Sequence, residues 1–282
     1  MSKVPISSSP STLALPHKAA SLSMRRALRP TVLAYHELSP DRTAYSYALS
    51  CRDFEEHLSL AAQLVGHAGD GIAPIVVSFD DGHISNYISA LPLLEKYSRK
   101  AIFFVIVGRI GEHKDSMTWA HLKELVALGH RVEAHGWSHT FLTCCSDSEL
   151  HTELERSREV LQERTGAPVT ALSAPHGRWD CRVVQACGAA GYRQLYTSSP
   201  WSSAQTLYGV ELIGRLIAVQ SMDATRLLHW LTMGRTEAGL HRTQYALKQS
   251  ARFLLGNKLY YQLWARFSGW DGRDDALLNG GQ

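Results

Sequence analysis

The chain has 282 residues, more than a typical single domain and a length compatible with one α/β barrel, and 45% of its residues are hydrophobic, enough for a buried core. Its 29 basic and 26 acidic residues give a net charge of +3 and are scattered, whereas a nucleic-acid-binding protein would concentrate its basic residues on one face. No run approaches 18 consecutive apolar residues, which excludes an integral membrane segment on pattern.

Predicted strands and helices alternate along most of the chain. Apolar, β-rich runs indicate the strands, and apolar residues at helical spacing indicate the helices. In chain order, the predicted elements are strand 31–36, helix 52–64, strand 75–79, helix 84–97, strand 101–105, helix 118–128, strand 131–134, helix 146–164, strand 170–173, helix 179–190 and strand 194–197. This alternation is typical of a parallel sheet and, at this length, of closure into a (β/α) barrel.

The two ends of the chain differ from this central pattern. Residues 1–30 are rich in Ser, Pro and Ala, and the Arg25-Arg26 pair lacks the apolar run that an export signal needs, so we expect a disordered leader. Residues 223–282 are helical in pattern and more basic, which predicts a helical appendage to a barrel domain of residues 31–222. The five cysteines include no Cys-x-x-Cys pair and are typical of reduced thiols. Together with the lack of a readable signal peptide, they predict a cytoplasmic location.

Polar clusters follow four of the predicted strands. They are the pair Tyr35-His36, the triplet Asp80-Asp81-Gly82, the single His135 and the triplet Pro175-His176-Gly177. In a parallel barrel the carboxyl ends of all strands meet at one rim, where the active sites of such barrels lie. Taken singly, an Asp-Asp-Gly is most often a turn, and a lone histidine is most often structural. Four clusters at one rim favour a functional site instead.

His135 and His139 are two imidazoles four residues apart. On a helical turn this spacing would place both on one face, where they can bind one metal ion. Two histidines at this spacing, with no other evidence beside them, are more often an accidental pair than metal ligands, and Gly136 disfavours a helix there. With one carboxylate from Asp80 or Asp81, however, the histidines would complete the site of a hydrolytic metal, and the other carboxylate would be free to accept a proton from water.

The segments Ser78-Phe79-Asp80-Asp81-Gly82 and 133–142 (EAHGWSHTFL) are two specific motifs in a fixed order. The first resembles the (T/S)FDDG block, and the second the NHTxSHxxL block, of the polysaccharide deacetylases, the NodB-homology family of carbohydrate esterases. Further segments are similar to the family in the same order: 90–97, 100–105, 157–166, 173–177 and 191–192. The resemblance runs from about residue 31 to about residue 218, roughly two thirds of the chain.

The resemblance implies a distorted (β/α) barrel of the polysaccharide deacetylase type, with a C-terminal helical extension. It implies a hydrolase of non-peptide carbon–nitrogen bonds that removes acetyl groups from an amino-sugar polymer or its precursor. By analogy with the family, Asp80 is the general base, while Asp81, His135 and His139 hold a divalent metal ion, usually Zn²⁺. The expected partner is an acetylated carbohydrate substrate.

Two positions depart from the family's pattern. Ser173 stands where the third block, R-x-P-x-G, has an arginine thought to orient the catalytic aspartate, and Arg178 is a candidate substitute. The family's last block is an apolar strand followed by the histidine that acts as general acid. Here Arg215 stands where that histidine is expected. His36 and His176 are therefore the candidate proton donors.

Substrate binding is expected to involve Pro175 and Gly177 of the third block and Trp201 as a wall for a sugar ring. Two other functions stay open. The same fold and metal site can serve a metal-dependent amidohydrolase acting on a small non-sugar amide. A carbohydrate-binding pseudoenzyme with weak or no catalysis would explain the missing arginine and histidine.

Overall fold

A computed structural model of the protein describes residues 30–41, 43–65, 74–199 and 205–232, with a few isolated positions between 239 and 250. Apart from Pro30, the expected leader lies outside the described residues, and so does Trp201. Most of the expected C-terminal appendage also lies outside them. One helix at its start, Ala224–Thr232, is described.

Seven parallel strands form a closed barrel. The strands of the protein are β1 (Thr31–Tyr35), β2 (Glu37–Ser39), β3 (Ala48–Ser50), β4 (Ile75–Phe79), β5 (Ala101–Val105), β6 (Arg131–Ala134), β7 (Ala171–Ser173), β8 (Gln194–Thr197), β9 (Gln205–Leu207) and β10 (Val210–Ile217). The barrel order is β1-β4-β5-β6-β7-β8-β10, and the pairing of β10 with β1 closes it. β9 pairs with β10 in antiparallel orientation, and β2 and β3 form a separate parallel pair. The predicted α/β barrel is confirmed.

Helices cover the outside of the barrel. They are α1 (Cys51–Val65), α2 (Leu91–Lys96), α3 (Trp119–Ala127), α4 (Asp147–His151), α5 (Ser157–Thr165), α6 (Cys181–Ala189) and α7 (Ala224–Thr232). Short 3₁₀ turns at Val107–Arg109, Leu142–Cys144 and Pro175–Gly177 follow three of the strands at the site end of the barrel. None of the helices in the described part of the chain has both the length and the apolar character needed to span a bilayer.

Two of the predicted helices contain a π-helical segment that periodicity does not reveal. Asn86–Ala90 precedes α2, and Thr152–Arg156 joins α4 to α5. Next to the second segment, the hydroxyl of Ser157, the first residue of α5, contacts the backbone carbonyls of Glu153 and Leu154. The hydroxyl of Tyr192 also donates to the carbonyl of Leu154. Side chains thus satisfy carbonyl groups that an uninterrupted α-helix would satisfy along its own backbone.

The side chains of the barrel strands alternate between the helix-covered outside and the barrel interior. A large apolar cluster lies between strands and helices. A smaller one fills the interior and consists of Val32, Ile102, Phe104, Ala171 and Tyr196. Arg215 of β10 lies against this smaller cluster, with its guanidinium 5.3 Å from the ring of Phe104 and 5.9 Å from the ring of Tyr196. The interior is therefore packed, and it carries one buried arginine towards the carboxyl ends of the strands.

Candidate active site and metal centre

The carboxyl ends of four barrel strands meet at one cleft. β1 leads into His36, β4 into Asp80 and Asp81, β6 into His135, and β7 into the turn that holds His176. All five side chains line a cleft of about 350 Å³, which is near the lower end of the range for small-molecule sites. The cleft therefore brings together the candidate residues that the sequence had placed after these strands.

Asp81, His135 and His139 form a cluster that fits a metal ion. One donor atom from each lies within 4.8 Å of the others. Asp81 Oδ1 is 3.3 Å from His135 Nε2 and 3.4 Å from His139 Nε2, and it is buried without a hydrogen-bond partner among the described residues. Because a buried carboxylate oxygen is costly unless a donor or a cation satisfies it, these three residues fit a divalent ion.

The electrostatics of this cluster favour a positive charge. Burial opposes ionisation of Asp81, but His135 and His139 hold its pKa well below the ordinary value. Burial also opposes a charge on His135, yet Asp80 and Asp81 outweigh it and raise the pKa of that imidazole. Burial holds the pKa of His139 well below its ordinary value, so this imidazole is neutral at pH 7 and one of its ring nitrogens keeps a lone pair that can bind a metal ion.

The prediction that His135 and His139 share a helical turn is wrong. The segment between them is a loop, in which Gly136 and His139 adopt left-handed backbone with φ of 75° and 69°. Gly136 is needed because a Cβ at this position would lie 2.9 Å from Oε2 of Glu153. A folded-back loop, rather than helical periodicity, brings the two imidazoles to the same carboxylate oxygen.

Glu153, in the π-helical segment, anchors this loop. Its buried carboxylate accepts hydrogen bonds from the N–H of Trp137 at 2.7 Å, the N–H of Ser138 at 3.0 Å and the hydroxyl of Ser138 at 2.5 Å. His135 is fixed separately, because its Nδ1–H donates to the carbonyl of Ser173 at 2.8 Å and leaves Nε2 for Asp81. Glu153 was not predicted as a functional residue, since it lies on the buried side of a helix that is otherwise rich in exposed charges.

Asp80 lies next to the cluster of Asp81, His135 and His139, which we call the metal cluster. Arg215 holds Asp80 in place. Nη1 of the arginine donates to Oδ1, and Nη2 donates to Oδ2, both at 2.7 Å. The hydroxyl of Ser173 donates to Oδ2 at 3.2 Å. Both partners of the ion pair are buried, with Asp80 4% and Arg215 1% exposed. Burial raises the pKa of Asp80, but the charge of Arg215, followed by that of His135, outweighs burial and lowers it below the ordinary value.

Arg215 is the arginine that orients Asp80, and Arg178 is not. The guanidinium of Arg178 lies over the ring of Phe141, at 5.6 Å from its centroid. From the motif pattern alone, Arg215 is only the residue in place of an expected histidine. A stronger signal was available, because an arginine inside an apolar strand is seldom buried without a partner, and such a position predicts a buried carboxylate opposite it.

The two candidate proton donors have different surroundings. His36 lines the cleft beside Tyr47, and its Nδ1 is buried without a partner among the described residues. His176 donates its Nε2–H to the carbonyl of His139 at 3.1 Å, and the two rings pack with centroids 4.4 Å apart. Burial lowers the pKa of His176 to about 4, so it is neutral at pH 7. His176 therefore supports the loop 135–139, which we call the metal-ligand loop. His36, in contrast, has a ring nitrogen that makes no hydrogen bond to another described residue.

The residues expected to bind substrate are only partly in the cleft. Gly177 lines it, while Pro175 is buried in the 3₁₀ turn. Trp201 lies outside the described residues. Tyr45 and Tyr47, from the segment between β2 and β3, line the cleft and are half-buried, with ring centroids 5.6 Å apart. They form an aromatic wall that was not predicted from the sequence, since no periodic pattern marks this loop.

Comparison with known proteins points to one family. A family model described as polysaccharide deacetylase matches residues 69–195, which include Asp80 and the three residues of the metal cluster. YxkH of Bacillus subtilis (strain 168) is 30% identical over 131 residues, which are 46% of this chain and 47% of YxkH. The chitooligosaccharide deacetylase of Rhizobium leguminosarum bv. trifolii is 27% identical over 169 residues, which are 57% of this chain and 74% of that protein. The chain thus spans about half the length of YxkH.

The fold is shared with a solved structure. The Streptococcus pyogenes deacetylase PplD, in complex with acetate, has a TM-score of 0.62 to this protein at 22% identity, covering 72% of this chain and 98% of that one. At this identity the likeness establishes the barrel fold. The family model contributes the sequence evidence, and its range includes Asp80, Asp81, His135 and His139. His36, Tyr45 and Tyr47 of the cleft, and Arg215, lie outside that range. Residues 69–195 of this chain match the polysaccharide deacetylase family.

Proposed function

We propose that this protein is a metal-dependent hydrolase that removes acetyl groups from the nitrogen atoms of an amino-sugar polymer or its precursor. The observation that carries the proposal is the position of Asp80, held by Arg215, beside the Asp81, His135 and His139 cluster in one cleft. The relative named as a chitooligosaccharide deacetylase supports an N-acetylated sugar as substrate.

We propose Zn²⁺ as the resident ion. Two imidazole nitrogens and one carboxylate oxygen, with further positions open, form a donor set that suits catalytic zinc. When bound there, a divalent ion would polarise the acetyl carbonyl and lower the pKa of a water molecule.

Asp80 is the proposed general base, and its two oxygens are not equivalent. Oδ2 accepts hydrogen bonds from both Arg215 and Ser173, whereas Oδ1 accepts from Arg215 alone among the described residues. Since each carboxylate oxygen has two lone pairs, Oδ1 keeps one free to accept a proton from the attacking water. Arg215 fixes the plane of the carboxylate and keeps it ionised at neutral pH.

His36 is the proposed proton donor to the leaving amine nitrogen. Cleavage of the amide releases an amine that must gain a proton, and the donor has to lie in the cleft with a free ring nitrogen. His36 meets both conditions. His176 uses its Nε2–H on the carbonyl of His139, and its pKa of about 4 leaves it without a second proton at pH 7.

The test is acetate release from N-acetylglucosamine oligomers by zinc-loaded wild type and by Asp80→Asn. We expect wild type to release acetate and Asp80→Asn to lose roughly 10²–10⁴-fold in kcat, because a general base contributes about that much. Asp80→Asn should still bind one zinc ion per chain, since Asp81, His135 and His139 are intact. Equal rates for both proteins would overturn the assignment of Asp80.

Two controls make the result specific. Zinc content and circular dichroism, measured on the same samples, separate a lost base from a lost fold or a lost metal. His36→Ala and His176→Ala, compared in the same assay, distinguish the two candidate donors, and we expect the larger fall in kcat from His36→Ala. A small amide hydrolysed in preference to every sugar oligomer would replace this function with that of a non-sugar amidohydrolase.

A further inference from the structure

Arg109 is a positive charge in the cleft that the proposed reaction does not use. It ends the 3₁₀ turn Val107–Arg109 after β5, and it lines the same cleft as the metal cluster. Its guanidinium has no hydrogen bond or ion pair with any other described residue.

The backbone fixes the turn that carries Arg109 to the metal-ligand loop. The N–H of Val107 donates to the carbonyl of Gly136 at 3.1 Å, and the N–H of Gly108 donates to the carbonyl of Trp137 at 2.9 Å. Gly108 permits this close approach, because a Cβ there would lie 2.7 Å from the carbonyl oxygen of Trp137. The position of Arg109 relative to the metal ligands is thus set by the same loop that sets the ligands themselves.

Arg109 lacks the counter-charge that the other charged residues of the cleft have. Asp80 is matched by Arg215 in a buried ion pair, and Asp81 faces the site of the divalent ion. With that ion bound, the cleft has a surplus of positive charge to which Arg109 contributes a full unit. A neutral sugar would leave this charge unmatched, whereas a substrate with an anionic group would satisfy it.

We propose that Arg109 recognises an anionic group on the substrate, a carboxylate or a phosphate ester, carried by the acetylated sugar or by its neighbour. The preferred substrate is then an acidic amino-sugar compound, an inference that rests on the proposed deacetylase function. A guanidinium binds either anion through two parallel charge-assisted hydrogen bonds. Such contacts correspond to roughly 10- to 100-fold in binding.

The experiment uses two matched substrate pairs with the zinc-loaded full chain. One pair is N-acetylglucosamine and N-acetylglucosamine 6-phosphate. The other is the neutral N-acetylglucosamine tetramer and a tetramer in which N-acetylglucosamine alternates with glucuronic acid. We expect wild type to prefer the acidic member of at least one pair by roughly 10- to 100-fold in kcat/KM. The pair that shows the preference tells phosphate from carboxylate.

Substitution then assigns the preference to Arg109. Arg109→Met should bring the ratio of acidic to neutral kcat/KM close to one, mainly through a higher KM for the acidic substrate, and Arg109→Lys should keep part of the ratio. Lys114→Met is the matched control, because it removes one exposed positive charge from the segment that follows the turn. A ratio that falls equally in Lys114→Met would show a general charge effect and overturn the assignment.

Three further outcomes are distinguishable. Equal efficiency of wild type on acidic and neutral sugars would overturn the inference and leave the proposed function standing. An equal fall of kcat on both substrates in Arg109→Met would place the arginine in the reaction itself and also overturn the inference. No acetate from any of the four sugars with zinc-loaded wild type would overturn the proposed function, and the inference with it.

Discussion

The ion pair between Asp80 and Arg215 places two full charges where almost no water reaches them. Removing charges from water is costly, and the pair persists because both carboxylate oxygens and both terminal guanidinium nitrogens are matched. Ser173 completes the arrangement, since its hydroxyl accepts from Arg215 at 2.8 Å and donates to Asp80. In the pattern of the family, an arginine would stand at position 173. Here the positive charge comes from β10, and a small side chain at position 173 leaves room for it.

Arg215→Met should therefore act through Asp80. The variant leaves a buried carboxylate without its counter-charge, which we expect to lower the free energy of unfolding by about 3–5 kcal/mol. The pKa of Asp80 should rise, so the acid limb of the pH–rate profile should move to higher pH. Urea unfolding and the pH dependence of kcat check the two effects separately. An unshifted acid limb would mean that Arg215 has only a structural role.

The double variant Arg215→Met/Ser173→Arg is the control for this prediction. It moves the cation to the position that the family uses, next to the same Asp80 oxygen that Ser173 now contacts. We expect it to recover part of both stability and activity relative to Arg215→Met alone. If the double variant is worse than the single one in both measurements, the two arginine positions are not interchangeable in this barrel.

At the scale of elements, six of the seven barrel strands were predicted from the sequence, whereas β10, which closes the barrel, and the conformation of the loops were not. β4, β5, β6 and β8 have the bounds expected from their apolar runs, because a buried parallel strand needs such a run. The loop 135–139 depends instead on a left-handed glycine and on a carboxylate 16 residues further along the chain. The motif identified His135 and His139 correctly, but their four-residue spacing predicted a helical turn where the protein has a loop.

Glu153→Gln tests whether the anchor of this loop sets metal affinity. Its carboxylate accepts three hydrogen bonds from the loop, and an amide would turn one acceptor into a donor facing an N–H or a hydroxyl. We expect zinc affinity to fall by roughly 10- to 100-fold, the usual effect of changing a residue that supports a ligand. Competition titration with a chromogenic chelator measures this affinity without reference to activity.

Glu155→Gln is the matched control for the anchor. Glu155 lies in the same π-helical segment, is partly exposed, and pairs with His151 at 3.1 Å rather than with the loop. Its zinc affinity should stay within about twofold of wild type, since surface ion pairs contribute little. Equal losses of affinity in the two variants would contradict a specific role for Glu153.

At the scale of the whole molecule, closure of the barrel brings together Asp80, the proposed general base, and Arg215. Arg215 and Asp80 are 135 residues apart in sequence, and they meet because β10 and β4 both pair with β1. Alternating strands and helices predicted a parallel barrel, but the alternation gives neither the register nor the residues that face each other inside. Motif resemblance supplied Asp80 and the metal cluster, and it left the partner of Asp80 open, because that partner departs from the family's pattern.

Buried neutral histidines link the stability of the whole barrel to pH. His130, between α3 and β6, accepts a hydrogen bond at Nδ1 from the N–H of Ala101 at the start of β5. Its Nε2 is buried without a partner among the described residues. Burial, followed by the nearby charge of Lys100, lowers its pKa to about 4. His57 behaves in the same direction, because its burial also lowers its pKa.

The sign of the pH effect follows from that lowered pKa. Below about pH 6.5 the unfolded chain binds a proton at His130, while the folded barrel does not until pH approaches 4, so the free energy of unfolding decreases as the pH falls through this interval. We expect metal-free wild type to lose up to about 2 kcal/mol more than His130→Asn between pH 7.5 and pH 5.0. Asn is the matched replacement because its side-chain oxygen can accept the N–H of Ala101. Urea unfolding measures the difference. A chelator is added so that His135 and His139 are free of metal in both proteins. Parallel loss of stability in the two proteins would show that His130 titrates in the folded barrel as it does in the unfolded chain.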